Sequence, residues 1–236
     1  MIKKYLSSLF SDWSDQSIRT VEQFLEKGGK MIDLGCGDGD LTVRFAKSVK
    51  PTYLIGIDAF SSKKKFRIVK GNLNRKLHFP NNSFDVVVSN YSIEHLYNTG
   101  MFISETHRIL KKGGYTVVAT DNLSSWTNVL SLIMGYQPTT LTQGIAQRAI
   151  GNPFALRSNN EILDSKFALQ WRLAGEYSHN KALAYQALIE AYTEYGFVIE
   201  KITGAGYFPF KGFLSRIMER VDVRHSHLLI LKARKT

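Results

Sequence analysis

The apolar positions of this chain fall into short blocks whose period changes from one to the next. Ile2, Tyr5, Leu6, Leu9 and Phe10 recur at helical spacing, and after Ser11, which offers an N-cap, Ile18, Val21 and Leu25 share one helical face until Gly28-Gly29. Two leading helices are predicted, Ile2 to Phe10 and Ser11 to about Lys27. Met31, Ile32 and Leu34 then make a short strand, interrupted by Asp33, and Leu41, Phe45 and Val49 resume helical spacing. Further strands are predicted at Tyr53 to Ile57, Phe66 to Val69, Phe84 to Ser89, Tyr115 to Ala119, Phe197 to Ile202 and His227 to Ala233. Helices are predicted over Thr99 to Leu110 and from an Asn180 cap through Tyr195, ending at Gly196. The unbroken Val86-Val87-Val88 run suits a parallel strand covered on both faces. Strands alternating with helices make this an α/β protein with a doubly wound sheet.

Between the first strand and its helix lie Gly35, Gly37 and Gly39, at alternate positions. Such a turn needs positive φ and lets a ligand approach the backbone without meeting a Cβ. A dinucleotide fingerprint would have a third glycine where this chain has Asp40, and would hold an anionic pyrophosphate. Here Asp33, Asp38 and Asp40 surround the glycines, and like charges in a partly desolvated site repel a pyrophosphate. A ligand with an amine and a sulphonium is attracted instead, and S-adenosyl-L-methionine is such a ligand. Asp58, at the end of the next strand and about 20 residues beyond the loop, stands where a carboxylate accepts ribose hydroxyls.

These stretches resemble the class I S-adenosylmethionine-dependent methyltransferases, in particular the group that includes small-molecule and quinone methyltransferases. MIDLGCGDG is similar to that family's first motif, GIDAF to its acidic second-strand motif, FPNNSFDVVVSNYSIEHL to its fourth-strand motif, and THRILKKGGYTVVAT to the segment entering the fifth strand. The resemblance covers roughly Gly29 to Thr120 and resumes at His179. It implies a Rossmann-like, seven-stranded, mostly parallel sheet with an antiparallel last strand. It also implies cofactor contacts from Asp33, Gly35, Cys36, Gly37, Asp58, Ala59, Asn72, Leu73 and Asn90. Asn72 stands where the family commonly has an aspartate that recognises adenine. Its oxygen keeps an acceptor for that role, or serves an Asx turn. The Asn-Pro-Pro-Tyr signature of base and amide methylation is absent, because Ser92-Ile93 follow Asn90-Tyr91.

From Asp121 to Asn180 the strand-helix rhythm is lost, with breaks at Gly135, Pro138, Gly144, Gly151, Pro153 and Gly175. A long insertion at the sheet's C-terminal edge reads as a mainly helical substrate cap, 121–180, set into a core domain of 1–120 and 181–236. The cap carries Trp126, Tyr136, Phe154, Trp171 and Tyr177, which suits a small hydrophobic or aromatic acceptor. Tyr91, Glu94, Trp126 and Trp171 are the expected acceptor-binding residues. Methyl transfer from a sulphonium needs a general base only for an uncharged hydroxyl or a protonated amine. His95, beyond the fourth strand, is the first candidate for that base, and His179 the second. No metal ligand set is apparent in the sequence.

The formal charge of +11 adds a competing possibility. Seven Lys or Arg and no acid lie between Lys63 and Lys76, and seven more lie between Lys211 and Lys235. RNA methylation or RNA binding is therefore the alternative function, and Tyr207 to Arg224 suits either a pocket rim or a lipid headgroup surface. The only cysteine, Cys36, lies in the glycine loop, which leaves no disulfide framework. No stretch approaches the roughly 18 apolar residues of a membrane span. The expectation is a cytoplasmic monomer or homodimer.

Overall fold

A computed structural model of the protein describes residues 2–59, 66–141, 143–145, 148–152 and 179–236. Among these, helices α1 (Ile2–Phe24), α2 (Asp40–Val49), α3 (Thr99–Ile109), α4 (Trp126–Ile133), α5 (Tyr185–Glu194) and α6 (Gly212–Val221) accompany strands β1 (Lys30–Leu34), β2 (Tyr53–Asp58), β3 (Arg67–Lys70), β4 (Phe84–Asn90), β5 (Leu110–Asp121), β8 (Phe197–Ala205) and β9 (Leu228–Lys235). A small antiparallel pair, β6 (Gln143–Ile145) and β7 (Arg148–Ile150), stands apart. The main sheet has seven strands in the order β3-β2-β1-β4-β5-β9-β8. β3, β2, β1, β4 and β5 pair in parallel, and β9 inserts antiparallel between β5 and β8. The expected sheet, with its antiparallel last strand, is therefore present.

Both faces of the sheet are covered, as the continuous apolar strands require. On one face Leu9, Trp13, Val21 and Phe24 of α1 and Phe45 and Val49 of α2 pack on Met31, Val86, Val88 and Val117. On the other, Phe102, Ile103 and Ile109 of α3 and Leu188 and Tyr192 of α5 pack on Ile32, Leu34, Val87 and Val118. Adjacent strand residues thus feed opposite cores, the period-two rule at work.

Several elements differ from expectation. The two leading helices are one, because Ser11 is exposed and the stripe of Leu9, Trp13, Ser17 and Val21 runs through it unbroken. β5 begins at Leu110 and not Tyr115, its register shifting between Leu110, opposite Phe84, and Tyr115, opposite Val86, with Gly113 at φ 78° in the offset. Helix α5 starts at Tyr185, since Asn180 is used elsewhere. Helix α6 was not foreseen, because its outward face is apolar and no helix-to-core stripe exists to read. The connection after β2 lies largely outside the described residues, as do Lys63 to Lys65 of the first basic cluster.

Candidate active site

The glycine loop leaves β1 through hydrogen bonds from the N–H of Gly35 and of Cys36 to the Ile57 carbonyl (2.8 and 3.2 Å), which tie it to the end of β2. Gly35, Gly37 and Gly39 all have positive φ (81°, 57° and 88°). A Cβ on Gly35 would lie 2.0 Å from Ser92 Oγ, so this glycine also allows the β1 and β4 ends to meet. Cys36 sits under the turn, against Gly56. Burial raises its thiol pKa, which makes it a packing residue and not a nucleophile.

The loop's acids are built in. Asp58 Oδ2 accepts from the Gly37 N–H (2.8 Å), and Thr42 donates to Asp33 Oδ2. Burial pushes the Asp33 carboxyl up to about 7. Asp33 Oδ1 and Asn90 Oδ1 are buried with no hydrogen-bond partner among the described residues. Buried acceptor atoms without a partner, at the strand ends that flank a glycine loop, fit a ligand that brings N–H and O–H donors, as an amino acid joined to a ribose does. Asn72 Oδ1 accepts from the Asn74 N–H (2.9 Å), an Asx turn that uses one of its lone pairs. Leu73 is buried in the core, and Ala59 follows directly on Asp58, half-buried. On α1, the Trp13 indole N–H donates to the Phe210 carbonyl (3.0 Å) and the Tyr5 hydroxyl to that of Pro209 (2.8 Å).

Beyond the loop, at the same C-terminal edge of the sheet, lie Glu94, His95 and His179. Asn90 ends β4, Tyr91 turns the chain with φ 54°, and a single 3-10 turn, Ile93–His95, follows. The loop before α5 is clamped to that turn. The N–H groups of Asn180 and Lys181 both donate to the Glu94 carbonyl (2.8 and 3.2 Å), and Asn180 Nδ2 donates to the His95 carbonyl (2.7 Å). This clamp places the His95 and His179 rings edge to face, with centroids 4.8 Å apart. His179 Nδ1 lies 2.6 Å from the Thr140 carbonyl and 3.0 Å from Asp121 Oδ2. A carbonyl only accepts, so Nδ1 is the nitrogen that carries a proton toward Thr140. Glu94 is buried, takes a hydrogen bond on Oε2 from Thr120 (3.0 Å), and has no partner for Oε1 among the described residues. Burial first, and then the neighbouring Asp121 charge, raise its pKa. Ligand atoms of Glu94, His95 and His179 lie within 4.8 Å of one another, a donor set suited to proton transfer and able to hold a divalent ion.

Thr120, Asp121, Thr140 and Asn180 are the site residues that sequence reasoning missed. Only Asp121, a carboxylate at the end of a predicted strand beside β4, left a readable signal. Of the expected acceptor residues, Glu94 joins the histidines. Tyr91 is turned instead toward α1, its ring against the core on that face. The Trp126 indole N–H donates to the Tyr207 hydroxyl (2.7 Å) and the ring stacks on His225. Trp171, with Phe154 and Tyr177, lies outside the described residues.

A family model described as "Methyltransferase domain" matches residues 5–202. The chain belongs to that methyltransferase family. S-adenosylmethionine is the methyl donor of this family, and the buried acceptors of Asp33 and Asn90 beside the glycine loop are of a kind that fits it. The methyltransferase is 24% identical over 186 residues to a ubiquinone biosynthesis O-methyltransferase of Bradyrhizobium sp., covering 69% of this chain and 72% of that one. It is 30% identical over 107 residues to a demethylmenaquinone methyltransferase of Geobacillus stearothermophilus, covering 39% and 45%. An uncharacterized methyltransferase of Schizosaccharomyces pombe is 28% identical over 121 residues, 44% of each chain. The match thus spans less than half the length of two of these three relatives. Among solved structures, an S-adenosylmethionine-dependent methyltransferase of Mesorhizobium loti has a TM-score of 0.57 at 18% identity, covering 92% of this chain and 96% of that one. Geranyl diphosphate C-methyltransferase of Streptomyces coelicolor A3(2) also has a TM-score of 0.57, at 16% identity, covering 99% and 84%. At these identities the likeness is one of fold. No helix among the described residues is long and apolar enough to cross a membrane.

Proposed function

We propose that this methyltransferase methylates a small hydrophobic or aromatic acceptor at a group that must lose a proton, with 121–180 as its cover. The observation that carries this is the Glu94, His95 and His179 cluster at the same sheet edge as the glycine loop, with Glu94 and His179 buried and His95 half-buried, since a methylation needing only positioning requires no such group. The names of the ubiquinone biosynthesis O-methyltransferase and demethylmenaquinone methyltransferase relatives point to acceptors of the quinone class, which suits this reading.

The bound donor supplies a methyl group on a sulphonium, a leaving group that needs no proton. The protein's share is alignment and exclusion of water, worth up to roughly 7 to 11 kcal/mol in well-aligned systems. Asp58 and the glycine loop orient the donor. His95, half-buried at the open side of the cluster, takes the acceptor's proton. His179, its Nδ1 held by Thr140 and Asp121, sets its ring edge to face against His95 and so orients that imidazole. Glu94, its pKa raised by burial, is poised to exchange protons near neutral pH.

The test is transfer of labelled methyl from S-adenosylmethionine to a panel of quinols, phenols and bulk RNA. Label in the quinols or phenols, lost by about 10²-fold or more in His95→Gln with unchanged donor affinity, supports the reading. Label in RNA alone overturns it. Activity that vanishes with a chelator and returns with a divalent cation would move deprotonation from His95 to an ion in the same donor set.

A further inference from the structure

Helix α6 is built inside out. Ser215 (0% exposed) and Glu219 (5%) face the protein, whereas Phe213 (69%), Leu214 (55%), Ile217 (41%) and Val221 (78%) face outward. At 100° per residue, those four apolar side chains fall within an arc of about 100°. The inward polar groups are satisfied: Ser215 Oγ accepts from the Tyr207 N–H (2.8 Å), and Glu219 accepts from the Gly206 N–H (3.1 Å) and from Gln16. Helix α4 repeats the pattern, with Asn128 and Ser131 buried and Leu132, Ile133 and Met134 exposed. Both helices stand at the sheet's C-terminal edge, because Asp121 of β5 and Ala205 of β8 pair with Leu228 at the start of β9. That is the edge of the glycine loop and the Glu94 cluster.

We infer that α6 lies in the interface of an anionic lipid bilayer, its apolar crest in the acyl boundary. Charge selects this occupant. Lys211, Arg216 and Arg220 are exposed beside the crest, while Glu219 is turned inward and Asp222 is held by Tyr207 and His225. The face shown outward is apolar and basic, the pattern of interfacial helices on anionic membranes. A second copy meeting the same face would set arginine against arginine. A lipid-dissolved acceptor would then reach the catalytic edge without crossing water. The docking itself does not depend on the acceptor reading and is measured without methyl transfer.

The experiment is flotation of the full chain with phosphatidylglycerol/phosphatidylcholine vesicles and with phosphatidylcholine alone. Binding at least tenfold stronger to the anionic vesicles is expected. It should fall at least tenfold in Phe213→Asp and Ile217→Asp, at exposed positions where the circular dichroism spectrum and melting temperature are unchanged. Arg216→Gln/Arg220→Gln should lose the anionic preference. In Phe213→Cys, a water-soluble maleimide should label the free protein and be excluded once anionic vesicles are added. Equal recovery in the unbound fraction with both vesicles, or binding indifferent to the α6 variants, overturns the inference. So does a wild-type dimer that Ile217→Asp dissociates without any vesicle binding. Protection of Phe213→Cys in the vesicle-free monomer, meaning that the chain covers this face itself, overturns it as well.

Discussion

Asp58→Ala isolates what the second-strand carboxylate does for cofactor binding. The side chain is buried at the end of β2 and accepts from the Gly37 N–H at 2.8 Å. An ionised carboxylate accepts at several lone pairs, so holding Gly37 does not exhaust it. Truncation removes the proposed acceptor for the ribose hydroxyls and takes away the carboxylate partner of the Gly37 N–H. Hydrogen bonds to a charged group are worth about 1.5 to 3 kcal/mol each, less what the group loses on giving up its contacts in the free protein, so a net loss of about 1 to 3 kcal/mol is expected. At 1.4 kcal/mol per tenfold, that weakens Kd for S-adenosylhomocysteine by about 5- to 150-fold. Isothermal titration measures it, and Asp58→Asn, which retains an acceptor for Gly37, should lose less. Unchanged affinity in Asp58→Ala, or tighter binding of a nicotinamide dinucleotide than of S-adenosylhomocysteine by the wild type, would refute the reasoning.

Gly35→Ala puts a Cβ 2.0 Å from Ser92 Oγ at a φ of 81°, and should destabilise by about 1 to 3 kcal/mol in denaturant titrations while abolishing donor binding. Asp33 titrates at about 7 in the folded chain, against an ordinary value of 3.8. The folded state therefore keeps a proton that the unfolded state has released, and stability from this group falls as pH rises from about 4 to about 7. Asp33→Asn should flatten the melting temperature over that window, and an unchanged slope would count against a buried acid there. His179→Gln removes the ring whose Nδ1 is held by Thr140 and Asp121. It should lower turnover and acceptor affinity together, read as kcat and KM, with S-adenosylhomocysteine affinity unchanged.

Much of the glycine loop's geometry was legible because it is local. One strand, one glycine turn and one helix follow each other within twenty residues, and positive φ and charge leave few residue types for each position. Asp58 was readable too, since parallel strands fix where the next strand end lies. The Glu94, His95 and His179 cluster depends on distance. His179 meets His95 only because the Asn180 and Lys181 N–H groups close on the Glu94 carbonyl, and nothing in the local pattern around residue 180 announces a partner 86 positions earlier. Asn180 reads locally as a helix cap, and it loses that role because its amide serves the His95 carbonyl instead.

The sequence by itself determined the α/β alternation, the two-sided burial of the central strands, the glycine cradle and its charge, and the candidacy of His95. These follow from period, backbone freedom and electrostatics acting over a few residues. Tertiary structure decided the rest. It fused the leading helices, drew Trp126 onto Tyr207 and His225, turned Tyr91 toward α1, and set Thr120, Asp121 and Thr140 around Glu94 and His179. It also turned α6 outward, because Ser215 and Glu219 are satisfied by backbone N–H groups that only the β8 end and Tyr207 supply. Where a side chain's partner comes from a distant strand end, hydrogen-bond satisfaction overrides hydrophobic period, and only the assembled fold shows which one wins.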